Sequence, residues 1–361
     1  MRAGSERPQW SRDPVKLNLL AHNTPWYGSY SGYYGQLPKY LRQEVPETWT
    51  VNVRSGLFWR ALGKLYSTSR RWPPRNQELA ASECMYGLST ALRPEAINHV
   101  LNLEDHADFL SGMTRVPNLV VTVHFPPHRW KVESLRSIAP PRTFICLYRR
   151  DVEFFAEHLR CGQPRVVLHG VDVDFFCPPP QAVTSTRFLY VGQFLRDVGL
   201  FLRAVKVLRS VCPEAEFDLV IARHAMRLME YQELSAMEGV KVHHDVSDEE
   251  LRGFYQRARA LLMPMEDFAA SNAIVEAMSC GLPVITTDNG GAQDYGGGAI
   301  YPLVKAGDLD GLIDLARTYL ADDGLRERVS SASRDFAVRN LAWKKIAAQH
   351  VEIYRELDGS N

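Results

Sequence analysis

Residues 259–294, RALLMPMEDFAASNAIVEAMSCGLPVITTDNGGAQD, constrain the fold of this chain more than any other stretch. Ala260 to Met263 is an apolar run of strand length. Ser271 is a good helix N-cap, because its hydroxyl can accept from first-turn N–H groups. Asn272 to Cys280 carries Ile274, Val275 and Met278 at helical spacing, and Gly281 can take the left-handed conformation that stops a helix. Val284 to Thr287 is then a β-branched run. Strand, loop, helix and strand in that order form a crossover of a parallel sheet, so an α/β fold is expected.

In such a unit the unpaired N–H groups of the helix's first turn open at the carboxyl ends of the strands. A negative charge there gains about 0.3–1 kcal/mol from the helix dipole. Glu276 falls on the second turn, where an acceptor-only carboxylate suits the hydroxyls of a ribose or sugar diol. Asp288-Asn289-Gly290-Gly291 reads as a turn whose glycines allow close backbone approach to a ligand.

The 361 residues, 45% hydrophobic and 23% charged, are enough for two domains with substantial cores. A formal net charge of zero argues against a dedicated nucleic-acid binder. The chain has no uninterrupted apolar run of membrane-spanning length, and it opens on the polar MRAGSERPQWSRDP rather than an apolar signal core, so a cytoplasmic protein is expected. Cys84, Cys146, Cys161, Cys177, Cys212 and Cys280 are scattered without a C-x-x-C pair, which points to reduced packing residues and no zinc site. His243 and His244 are adjacent on a strand and face opposite ways, so they do not form a metal pair.

EAMSCGLPVITTDNGG resembles the signature of the retaining, nucleotide-sugar-dependent glycosyltransferases of the GT-B fold, specifically family 4 (group 1). The resemblance is close over 165–357 and loose over 15–164. It implies an α/β, GT-B architecture of two doubly wound Rossmann-like domains facing across a cleft. The expected division is a disordered lead-in at 1–14, an acceptor-binding domain at 15–170, a nucleotide-sugar-binding domain at 171–340, and a helix at 341–361 packing back on the first domain. HGVDVDFFCPPP, with its proline run, matches the family's interdomain linker. A nucleoside-diphosphate sugar would be the co-substrate, with no cofactor and no metal.

Carried onto this sequence, the family's acidic pair E-x7-E places Glu276 as the second acid, the one that holds the nucleotide ribose. The first acid's place is taken by Phe268, with Asp267 and Glu266 just before it. Either the loop differs in length or one of these acids takes over the donor-sugar contact. Ser271, Asn272 and Ala273 open the helix toward the donor. After the strand Phe188 to Val191, the family has an arginine following the glycine and a lysine further on. This chain has Gly192-Gln193 and Val198 there, which leaves Arg196 for the diphosphate. The strand Leu119 to Val123 ends at His124 of HFPPHRW, where the family's histidine contacts the donor sugar. The implied catalytic set is therefore His124, Arg196 and Glu276. Gly28, Gly32 and Gly35, in the loop after the first strand, would approach the donor phosphates, with Tyr30, Tyr33, His128 and Arg129 toward the acceptor.

Residues 54–75, RSGLFWRALGKLYSTSRRWPPR, carry Arg54, Arg60, Lys64, Arg70, Arg71 and Arg75 and no acid, interleaved with apolar and aromatic residues. Such a segment suits an anionic membrane surface or an anionic acceptor, or it is a solvated helix whose apolar side packs on the domain. Further expectations are a strand at Thr50 to Arg54 and helices at Leu309 to Leu320, Leu325 to Val338 and Trp343 to Leu357.

The function implied is retaining, metal-independent transfer of a sugar to an acceptor hydroxyl. A GT-B nucleotide-sugar epimerase would act on the donor alone, and a non-catalytic module would bind it and leave it intact. A Rossmann oxidoreductase needs an early G-x-G-x-x-G and an acid about 20 residues on, and neither is present.

Overall fold

The computed structural model describes residues 15–21, 30, 32–52, 56–70, 76–113, 115–181 and 184–359, apart from the side chains of Tyr33, Tyr34 and Asn52. Gly28, residues 1–14, and Arg54, Arg71 and Arg75 of the basic stretch lie outside the described residues. The first half alternates β1 (Leu17–Ala21), α1 (Tyr33–Glu44), β2 (Thr48–Asn52), α2 (Leu57–Ser69), α3 (Gln77–Leu92) and β3 (Ile97–Val100). It continues with α4 (Leu103–Ser111), β4 (Leu119–Val123), α5 (Val132–Ser137), β5 (Thr143–Cys146), α6 (Val152–His158) and β6 (Pro164–Val166). These strands form one sheet, parallel throughout, in the order β2-β1-β3-β4-β5-β6.

The second half runs β7 (Arg187–Val191), α7 (Val198–Val211), β8 (Glu216–Val220), α8 (Met229–Ala236), β9 (Val240–His243) and α9 (Asp248–Arg257). Then follow β10 (Ala260–Leu262), α10 (Asn272–Ser279), β11 (Val284–Thr287), β12 (Leu303–Val304), α11 (Leu309–Ala321) and α12 (Asp323–Phe336). Its sheet, also parallel, has the order β12-β11-β10-β7-β8-β9. That order reverses between β7 and β10. The chain leaves these neighbours in opposite directions, which opens a crevice at their carboxyl ends.

The central strands read as apolar runs because helices cover both faces of each sheet. Leu119, Val120, Val121 and Val123 of β4 are all buried, as are Val284 and Ile285 of β11. Each such side chain contributes about 1.5–3 kcal/mol of transfer free energy. The strand expected at Thr50 to Arg54 begins two residues earlier, at Thr48.

A π turn, Ala337–Leu341, leads from α12 into α13 (Trp343–Asp358). Val171 ties this junction to the linker: its N–H donates to Leu341 O at 2.8 Å, and its carbonyl accepts from Trp343 N–H at 3.3 Å. α13 returns to the first half, where Trp343, Ile346, Val351 and Tyr354 share a core with Leu17, Leu19 and Leu41. A buried hydrogen bond of 2.6 Å joins Tyr354 Oη to His99 Nδ1 on β3. All six cysteines are unpaired. Among the described residues no helix is long and apolar enough to cross a membrane.

Candidate functional site

The turn after β7 and the loop after β10 meet at the crevice. Gly192 adopts φ 77, which lets the chain fold back on leaving β7, and Asp197 caps α7 by accepting from Leu200 N–H at 2.9 Å. Between them, Arg196 turns its guanidinium inward. It donates to Val191 O at 3.1 Å, to Phe194 O at 2.8 Å and to Ser271 Oγ at 3.3 Å. Arg196 thus joins the β7 turn to the N-cap of α10, and its positive charge lies at the switch point. Gln193 stays local, with Nε2 3.3 Å from His224 Nε2.

Ser271 is buried, and the first-turn N–H groups of Asn272 and Ala273 have no acceptor inside α10, as at any helix start. Glu276 is 3% exposed and accepts from Tyr255 Oη–H at 2.8 Å. Burial, and then the Glu276 charge, push the Tyr255 phenol well above its ordinary range. Tyr255 therefore stays a donor and fixes the carboxylate's orientation.

The three residues competing for the donor-sugar contact are placed quite differently. Glu266 is exposed, and its backbone N–H donates to Leu195 O at 2.9 Å. Asp267 is buried and accepts from Arg150 Nη2 at 3.0 Å and from Phe268 N–H at 2.7 Å, with His128 Nδ1 at 3.3 Å. The Phe268 ring is in the core against Tyr295, so only its backbone faces the loop. Gly290 is required behind this loop. Its φ is +57, and a Cβ there would lie 2.1 Å from Phe268 O and 2.7 Å from Asp267 Oδ1.

The facing wall comes from the first half. His124 follows β4, and its Nε2–H donates to Leu101 O at 2.8 Å, since a carbonyl only accepts. Burial drives its imidazole down to about 3, against the pull of that carbonyl, so the ring is neutral. Glu104 Oε1 holds the loop by accepting the N–H groups of His124 and of Phe125, the latter at 2.7 Å. Burial raises the Glu104 carboxyl to about 7, opposed by these backbone donors. His128 and Arg129 are exposed on the 3-10 turn Pro127–Arg129. Gly32, at φ 88, precedes α1, and Tyr33 opens it with a side chain outside the described residues. Tyr30 instead reaches the second half, stacking on Phe175 with centroids 3.8 Å apart and donating its N–H to Asp248 Oδ2 at 3.0 Å.

The walls touch at several further points. Phe125 packs on Phe194 at 5.1 Å, and the Arg129 guanidinium lies 5.5 Å from the centre of the same ring. Arg149 pairs with Asp294 through its side chain and its backbone N–H. Arg150, Phe125, Phe194, Tyr255 and Glu104 were not singled out from sequence. The one available signal was the basic pair Arg149-Arg150 just beyond a strand's carboxyl end. Among the described residues no group of three or more His, Cys, Asp or Glu is placed to hold a metal ion.

Residues 185–322 match the family model described as Glycosyl transferases group 1. Over 233 residues the chain is 23% identical to GDP-mannose:cellobiosyl-diphosphopolyprenol alpha-mannosyltransferase of Xanthomonas oryzae pv. oryzae, covering 60% of this chain and 58% of that protein. Over 216 residues it is 31% identical to D-inositol 3-phosphate glycosyltransferase of Corynebacterium urealyticum, covering 53% and 51%. The matches span little more than half the length of these curated relatives. Sucrose-phosphate synthase from Thermosynechococcus elongatus superposes with a TM-score of 0.73 at 16% identity, over 96% of this chain and 100% of that one. HepE of Anabaena in complex with UDP-glucose superposes with a TM-score of 0.67 at 14% identity, over 94% and 100%. At these identities the structural likeness is one of fold.

Proposed function

We propose that this chain, a group 1 glycosyl transferase by its residues 185–322 and a GT-B protein by its fold, moves a sugar from a nucleoside-diphosphate donor to an acceptor hydroxyl with retention at the anomeric carbon. The observation that carries the reading is the junction at the β7–β10 switch point, where Arg196 bridges Val191 and Ser271 beside the open first turn of α10. Positive charge and helix-start N–H groups converge there, where a leaving diphosphate gathers negative charge. Glu276, oriented by Tyr255, accepts the ribose hydroxyls. Asp267 and Glu266 remain the acids nearest the family's first position, and His124 approaches the donor sugar as a neutral ring.

In this reading the bond from the anomeric carbon to the diphosphate oxygen breaks, and the acceptor oxygen bonds to that carbon on the same face. The acceptor's proton passes to a donor phosphate oxygen, and no metal takes part. The reading gives Tyr30, Tyr33, His128 and Arg129 to the acceptor. The setting is cytoplasmic, with residues 54–75 at a membrane surface.

The test is turnover of a panel of nucleoside-diphosphate sugars by purified protein, with and without EDTA and candidate acceptors. One donor should release nucleoside diphosphate insensitively to EDTA, and NMR of the product should show the donor's anomeric configuration. Glu276→Ala should lower that rate about tenfold or more, the worth of a hydrogen bond to a charged group. A donor epimerised without acceptor would establish the epimerase instead. Donor binding without turnover across the panel would leave a binding module, and no donor binding would overturn the reading.

A further inference from the structure

α2 is built the wrong way round for a surface helix. Its small residues Gly63 and Ser67 are buried, while Leu57 is 85%, Phe58 70% and Leu65 70% exposed. The cause is its contact with α3. A Cβ on Gly63 would lie 1.7 Å from Gln77 O and 3.1 Å from Ala81 N, so the two backbones approach too closely for a large side chain between them. Leu57, Ala61 and Leu65, at four-residue spacing, therefore line the outer face, with Phe58 beside them and Lys64 and Thr68 along one flank. A surface helix ordinarily turns such residues to the core.

We infer that this outer face is a docking surface for an anionic lipid bilayer. Charge selects the occupant. The described part of this stretch, 56–70, carries Arg60, Lys64 and Arg70 and no acid, with Arg60 also reaching Glu78 of α3, and apolar residues edged by cations are what an interfacial helix presents to anionic lipid. A second copy of the chain is disfavoured by the same feature, because a two-fold contact would set like charges against each other. The topology adds a direction. α2 follows β2, an edge strand parallel to β4, so Leu57 and Phe58 lie toward the sheet end from which His124 leaves β4. Docking through α2 brings the mouth of the cleft to the lipid surface, where a lipid-borne hydroxyl would present itself. The inference extends the membrane contact proposed above, but its test needs neither donor nor acceptor.

Flotation of the full chain with vesicles of phosphatidylcholine alone, or of phosphatidylcholine with phosphatidylglycerol, decides the matter. Wild type should float with the anionic vesicles, less at high salt, and little with the neutral ones. Leu57→Ser/Phe58→Ser/Leu65→Ser should weaken that binding about tenfold or more, and Lys64→Gln about fivefold on anionic vesicles only. Leu57→Ser alone, at a position that touches no core, should lower binding with an unchanged melting curve, which guards against a misfolded triple variant. Wild type that stays with the free protein, or variants that float equally well, would overturn the inference. Loss of self-association in light scattering, without vesicle binding, would assign the face to a second copy instead.

Discussion

Glu104 uses one carboxylate oxygen to hold the loop that carries His124, while its other oxygen, Oε2, is buried without a hydrogen-bond partner. An acid so placed favours its protonated form, and its folded value is about 7 against an ordinary 4.5. Because the folded value is the higher one, its contribution to stability is complete below about pH 4.5 and is lost as pH rises through about 7. His124, His169 and His350 run the other way. Burial holds them at about 3, 4 and 4 against 6.5, so their contribution is present above 6.5 and is lost as pH falls toward those values. Glu104→Gln mimics the protonated acid and keeps the histidines, so between pH 5 and 8 its melting temperature should rise relative to that of wild type as the pH rises. The difference reaches about 3 kcal/mol at most. Parallel melting curves across that range would show that Glu104 is ionised throughout. Asp267 illustrates a different limit at this scale. Its sequence position suggests a ligand acid, yet its carboxylate is engaged by Arg150 and Phe268 N–H, with His128 close by, a commitment that only the folded cleft reveals.

α10 and its flanking strands were legible because each cue is local: apolar residues on one face, a glycine after it, a β-branched run beyond, and a serine before it that marks the start by position, its hydroxyl accepting from Arg196 and making no cap bond to the helix. Helix and strand stand close to where those cues place them, at Asn272–Ser279 and Val284–Thr287. α8 and β12 were not anticipated. α8 spans only eight residues with Tyr231 and Leu234 buried, and β12 is two residues long, too short for either period to register. The cationic, apolar character of α2 was also legible, but which side faces inward was not. That was decided by Gly63 against the α3 backbone, a contact between elements. The cross-cleft pairs are hidden for the same reason, since Arg150 and Asp267 lie 117 residues apart. Arg150 is the cation that joins the β5 end to the β10 loop, and its loss should loosen the closed cleft. Arg150→Ala is expected to raise the radius of gyration in small-angle scattering and to lower kcat/KM for the donor about tenfold, since small displacements of reacting groups are costly. An unchanged scattering curve with unchanged kcat/KM would make the pair an incidental surface contact.

At the scale of the whole molecule, two similar parallel sheets take different tasks. The second carries the family-matched stretch and the reversed strand order that opens a crevice between β7 and β10. The first supplies His124, the outward face of α2 and the cations that reach across. α13 joins them by packing on the first half after leaving the second at Val171, so motion between the halves must bend at the linker and at the π turn before α13. The central claim is that the second half holds a nucleoside diphosphate with its ribose on Glu276. Calorimetric titration of wild type and Glu276→Ala with the preferred nucleoside diphosphate, and with its 2′,3′-dideoxy analogue, tests that contact as a thermodynamic cycle. Removing the carboxylate and removing the hydroxyls should each weaken binding about tenfold, while removing both should cost little more than either alone. Fully additive losses, or diphosphate binding indifferent to Glu276, would contradict it.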